Sequence, residues 1–268
     1  MKNRLLVSDM DHTLLDEDAR LSRENLEAIR TFVGRGGLFT VATGRAPAAI
    51  RVFPELLPCI NLPAITGNGG QVVDLADGDK VLRSWVLPLE IRPLVAGVLE
   101  RFPEMGAVAY HGLDSFFSFR VTPLVEGLVE KERRPAPLCT VEASPQPWNK
   151  VLMTEDHAYL EEVRRWLDPR LSGLGRTVFS EDTYLEILPL GVSKGTALAY
   201  LLEREGIDPA EVVAIGDAPN DRELLERSGT GVAVANAAPE LKAVAGAVVC
   251  SNAHHAVRAC LERFFPAP

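Results

Sequence analysis

The chain has 268 residues, of which 47% are hydrophobic and 24% are charged, and these fractions are those of an ordinary globular protein rather than a disordered one. A chain of this length can bury one large core or two medium ones. Its formal net charge of −9 at pH 7 argues against a nucleic-acid partner and against an anionic membrane surface, since both are bound through basic patches. An anionic substrate would need locally concentrated lysine and arginine, or a metal ion.

The four cysteines are widely separated and form no CxxC pair, which favours free buried thiols in a reducing compartment. The N-terminus leads directly into an apolar strand and carries no signal-peptide pattern. No apolar run approaches the roughly 20 residues of a membrane span. We therefore expect a cytoplasmic protein without a membrane partner.

The first predicted element is a buried strand over residues 5–7, which leads to Asp9 and Asp11. Residues two apart on an extended chain point the same way, so both carboxylates can face one ligand. Strand C-termini form the ligand crevice of open α/β sheets, which favours a chemical role for the pair. The alternative is that the aspartates only form a turn through hydrogen bonds to the backbone.

A helix is predicted over residues 23–34 from its apolar spacing, with Ser22 as its N-cap. A second buried strand follows over residues 38–42 and ends at Thr43. A crossover of about 20 residues between two strands indicates a parallel pair. Thr43 is therefore expected at the same sheet edge as Asp9.

A short third strand over residues 63–66 ends in the sequence G-N-G-G, which permits either a tight turn or a close approach of the backbone to a ligand. A hairpin is predicted over residues 71–75 and 80–86. From about residue 88 the pattern changes to a mixture of helices and strands without acidic strand ends, which indicates a separate α+β insert. Its predicted elements are helices over 89–102, 124–131 and 156–167, and strands over 107–111, 115–120, 150–154 and near 177 and 185.

After this insert, Lys194 precedes a helix predicted over residues 197–205. A helix N-terminus carries partial positive charge, so a lysine there is unfavourably placed unless an anion lies in front of it. A solvated surface lysine is the alternative.

A further buried strand, predicted over residues 211–215, ends in G-D-A-P-N-D and places Asp217 at its C-terminus. The remaining predicted elements are a helix over 222–228, strands over 231–234 and 247–250, and a final helix over 256–264. Asn252 is a candidate cap for that final helix.

The predicted strand ends bring Asp9 with Asp11, Thr43 and Asp217 to one sheet edge, and Lys194 stands at a helix start. A carboxylate cluster without His or Cys suits Mg²⁺. A hydroxyl, a glycine turn and a lysine beside such a metal can hold and neutralise a phosphoryl group. Asp9 can then act as a covalent nucleophile, and Asp11 as the general acid and base.

Four segments resemble, in order and spacing, the four motifs of the haloacid dehalogenase-like phosphatases. They are D-M-D-H-T at 9–13, V-A-T-G-R at 41–45, G-V-S-K-G-T at 191–196 and G-D-A-P-N-D at 216–221. The insert between the second and third motifs, together with G-V-A-V-A-N-A-A-P-E-L-K at 231–242, is similar to the Cof-type subgroup with a C2 (IIB) cap. The match spans the whole chain.

This resemblance implies an α/β fold with a Rossmann-like parallel-sheet core, residues 1–82 and 190–268, and an inserted α+β cap domain, residues 83–189, that sets specificity. It implies Mg²⁺ as the cofactor, with four metal ligands: Asp9, Asp11 through its backbone carbonyl, Asp217 and Asp221. It also implies a set of residues at the substrate phosphate: Thr43, Gly44, Arg45, Asn68, Lys194 and Asn220.

The first motif departs from the family pattern at His12, where glycine is usual. A non-glycine residue resists positive φ, although histidine tolerates it better than most. We expect the chemistry to survive, since the acids are intact, and we expect the range of leaving groups to be affected.

The sequence therefore predicts a Mg²⁺-dependent phosphatase that acts on a small phosphorylated metabolite, expected to be a sugar phosphate, through an aspartyl-phosphate intermediate. A phosphomutase of the same superfamily is the first alternative. The second is a non-catalytic phosphate-ligand sensor, because fold alone does not fix function. Asp9, Asp11, Lys194 and Asp217 are all present and argue against the sensor.

Overall fold

A computed structural model of the chain describes residues 4–113 and 115–266. The chain divides into two compact units. The first comprises residues 4–44, 50–83 and 193–266, and the second comprises residues 45–49, 84–113 and 115–192. The roles of catalytic core and specificity cap for these two units remain predictions.

The described residues form thirteen strands. They are β1 Leu5–Ser8, β2 Leu38–Val41, β3 Ala64–Thr66, β4 Gln71–Asp74, β5 Lys80–Ser84, β6 Gly106–His111, β7 Ser115–Arg120, β8 Trp148–Thr154, β9 Arg176–Glu181, β10 Tyr184–Leu188, β11 Val212–Gly216, β12 Thr230–Ala233 and β13 Ala247–Val248.

The same part of the chain forms nine α-helices. They are α1 Arg23–Gly34, α2 Pro47–Ile50, α3 Arg92–Arg101, α4 Pro123–Glu132, α5 His157–Leu167, α6 Lys194–Glu205, α7 Arg222–Arg227, α8 Pro239–Lys242 and α9 Ala256–Phe264. Among the described residues, none of these helices combines the length and the apolar character that a membrane crossing requires. The four cysteines are free thiols, and Cys59 and Cys260 are buried as predicted, whereas Cys139 and Cys250 are partly exposed.

The first unit is built on a parallel sheet in the order β13-β12-β11-β1-β2. Its two central strands, β1 and β11, pair with Leu5 opposite Val212 and Ser8 opposite Ile215. Both strands are fully apolar apart from their ends and are completely buried, as expected for a parallel sheet covered on both faces. The predicted α/β class with a parallel core sheet is confirmed.

The helix α6 begins at Lys194, three residues earlier than predicted, because Ser193 caps it. The Ser193 hydroxyl accepts from the Thr196 backbone N–H at 3.1 Å, and the Ser193 N–H donates to the Thr196 hydroxyl at 2.9 Å. This reciprocal capping box satisfies two backbone donors of the helix start. Lys194 is therefore the first helical residue.

The prediction that Asn252 caps the final helix is wrong. Asn252 lies in a separate 3₁₀ turn, Asn252–His254, and His255 occupies the N-cap position of α9. The Asn252 amide instead donates to the Leu15 carbonyl at 3.1 Å, in the buried interior. The Leu15 carbonyl gains a donor in this way, as buried backbone carbonyls require.

The second unit contains an antiparallel sheet in the order β7-β6-β8-β10-β9. Alternate residues of β6 point to opposite faces, so that Ala107 and Ala109 join one apolar cluster while Val108 and Tyr110 join another. Helices α3 and α5 cover the first face, and α4 covers the second. The predicted α+β character of this insert is present.

The G-N-G-G segment forms a tight turn after β3, over Gly67–Gly69. Gly69 has φ of +94°, and a Cβ there would lie 2.1 Å from the backbone oxygen of Ser193. Gly67 also has positive φ, at +58°, but a Cβ there would meet nothing within 4 Å. The close approach at Gly69 is therefore to the start of α6, and it fixes that helix start against the turn.

We expect Gly69→Ala to destabilise the protein more than Gly67→Ala. Both substitutions place alanine in the left-handed region, which costs roughly 1–2 kcal/mol. Only the former adds a backbone clash, which costs about 1–3 kcal/mol more. Urea unfolding of the two variants measures the difference, and equal losses would contradict the close approach.

Candidate active site

Two central strands deliver aspartates to the same point of the sheet edge. Asp9 follows β1 and Asp217 follows β11, and the Asp9 backbone N–H donates to the Ile215 carbonyl at 2.9 Å. Carboxylate oxygens of Asp9, Asp217 and Asp221 all lie within 4.8 Å of one another. The structure thus brings three of the predicted metal ligands together.

Asp221 is anchored by the backbone of its own loop. Its Oδ2 atom accepts from the N–H groups of Asp217 at 3.0 Å and Ala218 at 3.2 Å. A Cβ at Gly216 would lie only 2.5 Å from this same Oδ2, so glycine is needed at the end of β11 for the carboxylate to fit. The side chain of Asp221 is completely buried.

Lys194 forms a bridge between two of the three carboxylates. Its ammonium donates to Asp9 Oδ1 at 2.6 Å and to Asp221 Oδ1 at 2.7 Å, and the side chain is 1% exposed. Burial alone would lower the pKa of Lys194, but the two carboxylates outweigh it and raise that pKa above its usual value. The anion that the sequence suggested in front of this helix start is therefore supplied by the chain itself.

The crowding of acids shifts their titration. Burial raises the pKa of Asp9 well above its usual range, against the opposing effect of the Lys194 ammonium, and Asp221 and Asp217 raise it further. Burial and the Asp221 carboxylate raise the pKa of Asp217 to about 7. The site therefore carries more negative charge than its own lysine neutralises.

The turn that follows Asp9 holds the second motif aspartate. Residues Met10–Leu14 form a single π-type turn, in which Asp11 has extended φ and ψ and His12 adopts the left-handed region, with φ of 56°. Asp11 is partly exposed and His12 is exposed. The histidine does accept positive φ at the position where the family pattern has glycine.

Thr13 is a site residue that the sequence analysis did not assign. Its hydroxyl, completely buried, donates to Asp217 Oδ1 at 2.7 Å and so links the turn after β1 to the loop after β11. Its place in the D-M-D-H-T segment was the available signal, but only the folded chain shows which acid it contacts.

A second group of predicted residues lies around the turn after β3. Thr43 and Asn68 are joined by their backbones, since the Asn68 N–H donates to the Thr43 carbonyl at 3.0 Å. The Asn68 Oδ1 accepts from the Asn220 amide at 3.0 Å. Gly44 faces the Asn68 side-chain amide, because a Cβ there would lie 3.1 Å from Asn68 Nδ2.

Two buried polar atoms of this group lack partners among the described residues, namely Asn68 Nδ2 and Asn220 Oδ1. A buried amide nitrogen without an acceptor is energetically costly and calls for an explanation such as a ligand. Arg45 belongs to the second unit, where its guanidinium donates to the Ala49 carbonyl at 3.4 Å.

The donor set fits a hard divalent cation. All three converging groups are carboxylates, and no nitrogen or sulfur ligand stands among them. Oxygen-only sites with few carboxylates suit Mg²⁺, which retains positions for water and phosphate oxygens. The raised pKa values of Asp9 and Asp217 are compatible with such a site, because a bound cation would oppose both causes of the shifts, burial first and the repulsion between the acids second.

A groove of about 820 Å³ lies elsewhere in the first unit, between α1 and α9. It is lined by apolar residues such as Phe32, Leu261 and Phe265 and by charged residues on the two helices. None of the converging acids lines it. The candidate site is therefore defined by its charged groups and not by cavity volume.

The family model of the haloacid dehalogenase-like hydrolases matches residues 6–261. This match covers nearly the whole chain, including the three acids and the lysine between them. The chain therefore belongs to the haloacid dehalogenase-like hydrolases. The resemblance indicated by the four sequence motifs is confirmed.

Within that family the protein is a phosphatase. It is 34% identical over 242 residues to an HMP-PP phosphatase of Yersinia enterocolitica, and the alignment covers 89% of this chain and 86% of the relative. A haloacid dehalogenase-like hydrolase from Bacteroides thetaiotaomicron superposes with a TM-score of 0.86 at 26% identity, over 98% of this chain and 100% of the other. A HAD subclass IIB sugar phosphatase has a TM-score of 0.87 at 21% identity, over 99% and 100% of the two chains, and shows the common fold.

The titration of Asp217 predicts how the metal-free protein responds to pH. A carboxyl whose pKa is raised by folding contributes stability below its unfolded pKa and loses that contribution as pH rises through the folded value, here about 7. We expect the urea midpoint in the presence of a chelator to fall between about pH 4 and pH 7 and to change little above that range. Asp217→Asn keeps the oxygen that Thr13 contacts and should reduce this fall.

The control is Glu203→Gln, which neutralises an exposed carboxylate on α6 and should leave the pH profile unchanged. Added Mg²⁺ should restore stability at pH 8.5 in the wild-type protein, because a ligand that binds only the folded state stabilises it. A pH profile of Asp217→Asn identical to wild type would contradict the assignment of the shift to Asp217.

Proposed function

We propose that the protein is a Mg²⁺-dependent phosphatase that hydrolyses a small phosphorylated metabolite, with sugar phosphates as the expected class, through an aspartyl-phosphate intermediate. The observation that carries this proposal is the convergence of Asp9, Asp217 and Asp221 around the buried Lys194 ammonium. This arrangement combines a carboxylate nucleophile, a cation site and a fixed positive charge in one place.

Asp9 is the proposed nucleophile. One of its oxygens, Oδ1, is held by Lys194, which orients the carboxylate. The other oxygen is then the atom that attacks phosphorus, so that an O–P bond forms to Asp9 while the bond from phosphorus to the leaving oxygen breaks. Burial raises the pKa of Asp9, and a bound cation would favour the ionised carboxylate that the attack requires.

Asp11 is the proposed general acid and base. In the first step it gives its proton to the leaving oxygen, and in the second it takes a proton from the water that attacks the phosphorylated Asp9. Its partly exposed position, two residues after the nucleophile, leaves it accessible to both the leaving group and water. The second step returns both aspartates to their starting forms and releases phosphate.

The phosphoryl oxygens are proposed to lie against Thr43, Gly44, Asn68 and Lys194. The unpartnered Asn68 Nδ2 is a buried donor beside the glycine backbone, and it supports this assignment. Asn220 orients the Asn68 side chain through their 3.0 Å hydrogen bond. Arg45, which follows Gly44 in the chain, is proposed as a further contact to the phosphate.

Mg²⁺ is proposed to be held by Asp9, the Asp11 carbonyl, Asp217 and Asp221, and when bound it would neutralise charge that develops on the phosphoryl oxygens. Thr13 orients Asp217, and the loop N–H groups orient Asp221. These contacts hold the carboxylates in place before any substrate arrives. The second unit is proposed to act as the cap that selects the leaving group.

The test is phosphate release from a panel of sugar phosphates, nucleotides, phosphoglycolate, pyridoxal phosphate and HMP-PP, with Mg²⁺ and with a chelator. HMP-PP is included because the Yersinia relative is an HMP-PP phosphatase. We expect metal-dependent release that is strongest for one sugar phosphate. Strongest release from another compound would refute the sugar-phosphate class, and an isomeric sugar phosphate formed without phosphate release would indicate a phosphomutase.

Asp9→Asn is the matched control for this panel. It removes one charge without changing size, and turnover should fall by more than about a thousandfold because no covalent intermediate can form. Circular dichroism should show an intact fold. Near-normal turnover in this variant would refute the mechanism.

Asp11→Asn should have an effect that depends on the leaving group. Loss of general acid catalysis costs about 10²–10⁴-fold when the leaving oxygen needs a proton. A sugar phosphate should therefore lose much more activity than p-nitrophenyl phosphate, whose leaving group departs without protonation. Equal losses for both substrates would exclude Asp11 as the acid.

A further inference from the structure

Three asparagine side chains hold the turn that carries Asp11. Their amide nitrogens donate to three backbone carbonyls at the end of the first motif and just after it. Asn236 donates to His12 at 2.8 Å, Asn25 to Leu14 at 3.0 Å and Asn252 to Leu15 at 3.1 Å. We call Asn25, Asn236 and Asn252 the asparagine brace.

The members of the brace are also tied to the rest of the first unit. The Asn236 Oδ1 accepts from the Asn252 backbone N–H at 3.0 Å, and the Asn25 Oδ1 accepts from the Arg258 N–H at 3.0 Å. Asn25 and Asn236 therefore each use both the donor and the acceptor of their side chain on the backbone. The turn is connected in this way to α1, to α9 and to the loop after β12.

Asn236 differs from the other two members. Asn25 and Asn252 are buried and hold the apolar end of the turn, whereas Asn236 is exposed and holds His12 itself. His12 is in the left-handed region, which a non-glycine side chain disfavours. The hydrogen bond from Asn236 to the His12 carbonyl opposes the tendency of His12 to leave the left-handed region.

The position of the His12 carbonyl matters for its neighbours on both sides. Rotation of the backbone at His12 would displace Asp11, which precedes it, and Thr13, whose hydroxyl contacts Asp217. A shift of about 1 Å in a reacting group can reduce the rate by about 10²-fold.

We propose that Asn236 is a positioning residue for Asp11: its amide keeps His12 in the left-handed conformation that sets the general acid against the leaving group. This proposal rests on the role proposed for Asp11 above. It also accounts for how a histidine replaces the usual glycine in this motif. Glycine adopts positive φ without strain, whereas His12 is held at positive φ by the hydrogen bond from Asn236.

Asn61 provides a closely matched control in the same unit. It is also exposed, its Oδ1 accepts from the Phe39 N–H at 2.8 Å, and its Nδ2 donates to the Gly37 carbonyl at 3.0 Å. These contacts lie at the beginning of β2, at the opposite end of the strand from Thr43. Asn61→Ala thus removes the same pair of bonds away from the site.

The experiment compares Asn236→Ala with Asn61→Ala by steady-state kinetics on the best substrate and by amide hydrogen exchange of residues 10–15. We expect Asn236→Ala to lower kcat about tenfold with little change in KM, because the acid is displaced while the phosphate contacts remain. Exchange in the turn should accelerate only in this variant. Asn61→Ala should keep both kcat and the exchange of the turn.

Two further variants test the hydrogen bond from the Asn236 amide to the His12 carbonyl by itself. Asn236→Asp keeps the acceptor for Asn252 and loses the donor to His12, so it should resemble Asn236→Ala. In a His12→Gly background, Asn236→Ala should lower kcat by less than about threefold, because glycine occupies the left-handed region without strain. An undiminished cost in that background would overturn the proposal.

Equal kcat and equal turn exchange in the Asn236→Ala and Asn61→Ala variants would also overturn it. Failure of the proposed function is distinguishable, since it would appear as absent turnover in the wild-type protein. In that case the amide exchange of residues 10–15 still tests whether Asn236 holds the turn, because this measurement requires no turnover.

Discussion

The buried ammonium of Lys194 between Asp9 and Asp221 is the interaction on which the site depends. Three carboxylates lie within 4.8 Å of one another, and without a cation among them their mutual repulsion and burial would oppose folding. The pKa of Asp217 is still raised, first by burial and then by the Asp221 carboxylate, although the Lys194 ammonium lowers it. A buried pair of this kind contributes little net stability, and its clearer effect is to fix the orientation of the Asp9 carboxylate.

The backbone around this charge cluster is fixed by contacts that have little to do with charge. Glycine at positions 69 and 216 allows the turn after β3 and the Asp221 carboxylate to pack where any Cβ would clash. The left-handed His12 is held by a hydrogen bond from a loop more than two hundred residues away in sequence. The positions of the acids therefore rest on backbone geometry that is set independently by several elements.

The strand ends of the first unit could be predicted because local patterns determine them. An apolar run that ends in an acid needs only its own residues to be recognised, and Asp9 and Asp217 both follow such runs. The Thr13 contact with Asp217 and the true role of Asn252 could not be predicted in this way. Both are side-chain hydrogen bonds between distant segments, and asparagine near a helix start has a local use that matched the pattern equally well.

By itself the sequence determined the fold class, the parallel central sheet and the family, because strand periodicity and four ordered motifs are properties of short segments. Tertiary structure alone decided that Lys194 is neutralised by Asp9 and Asp221 and that asparagines hold the first motif turn. It also decided that Asn68 Nδ2 and Asn220 Oδ1 have no partner in the part of the chain that the structure describes. These facts depend on which distant groups meet and on how many polar atoms remain unsatisfied when they do, and neither quantity is present in a local pattern.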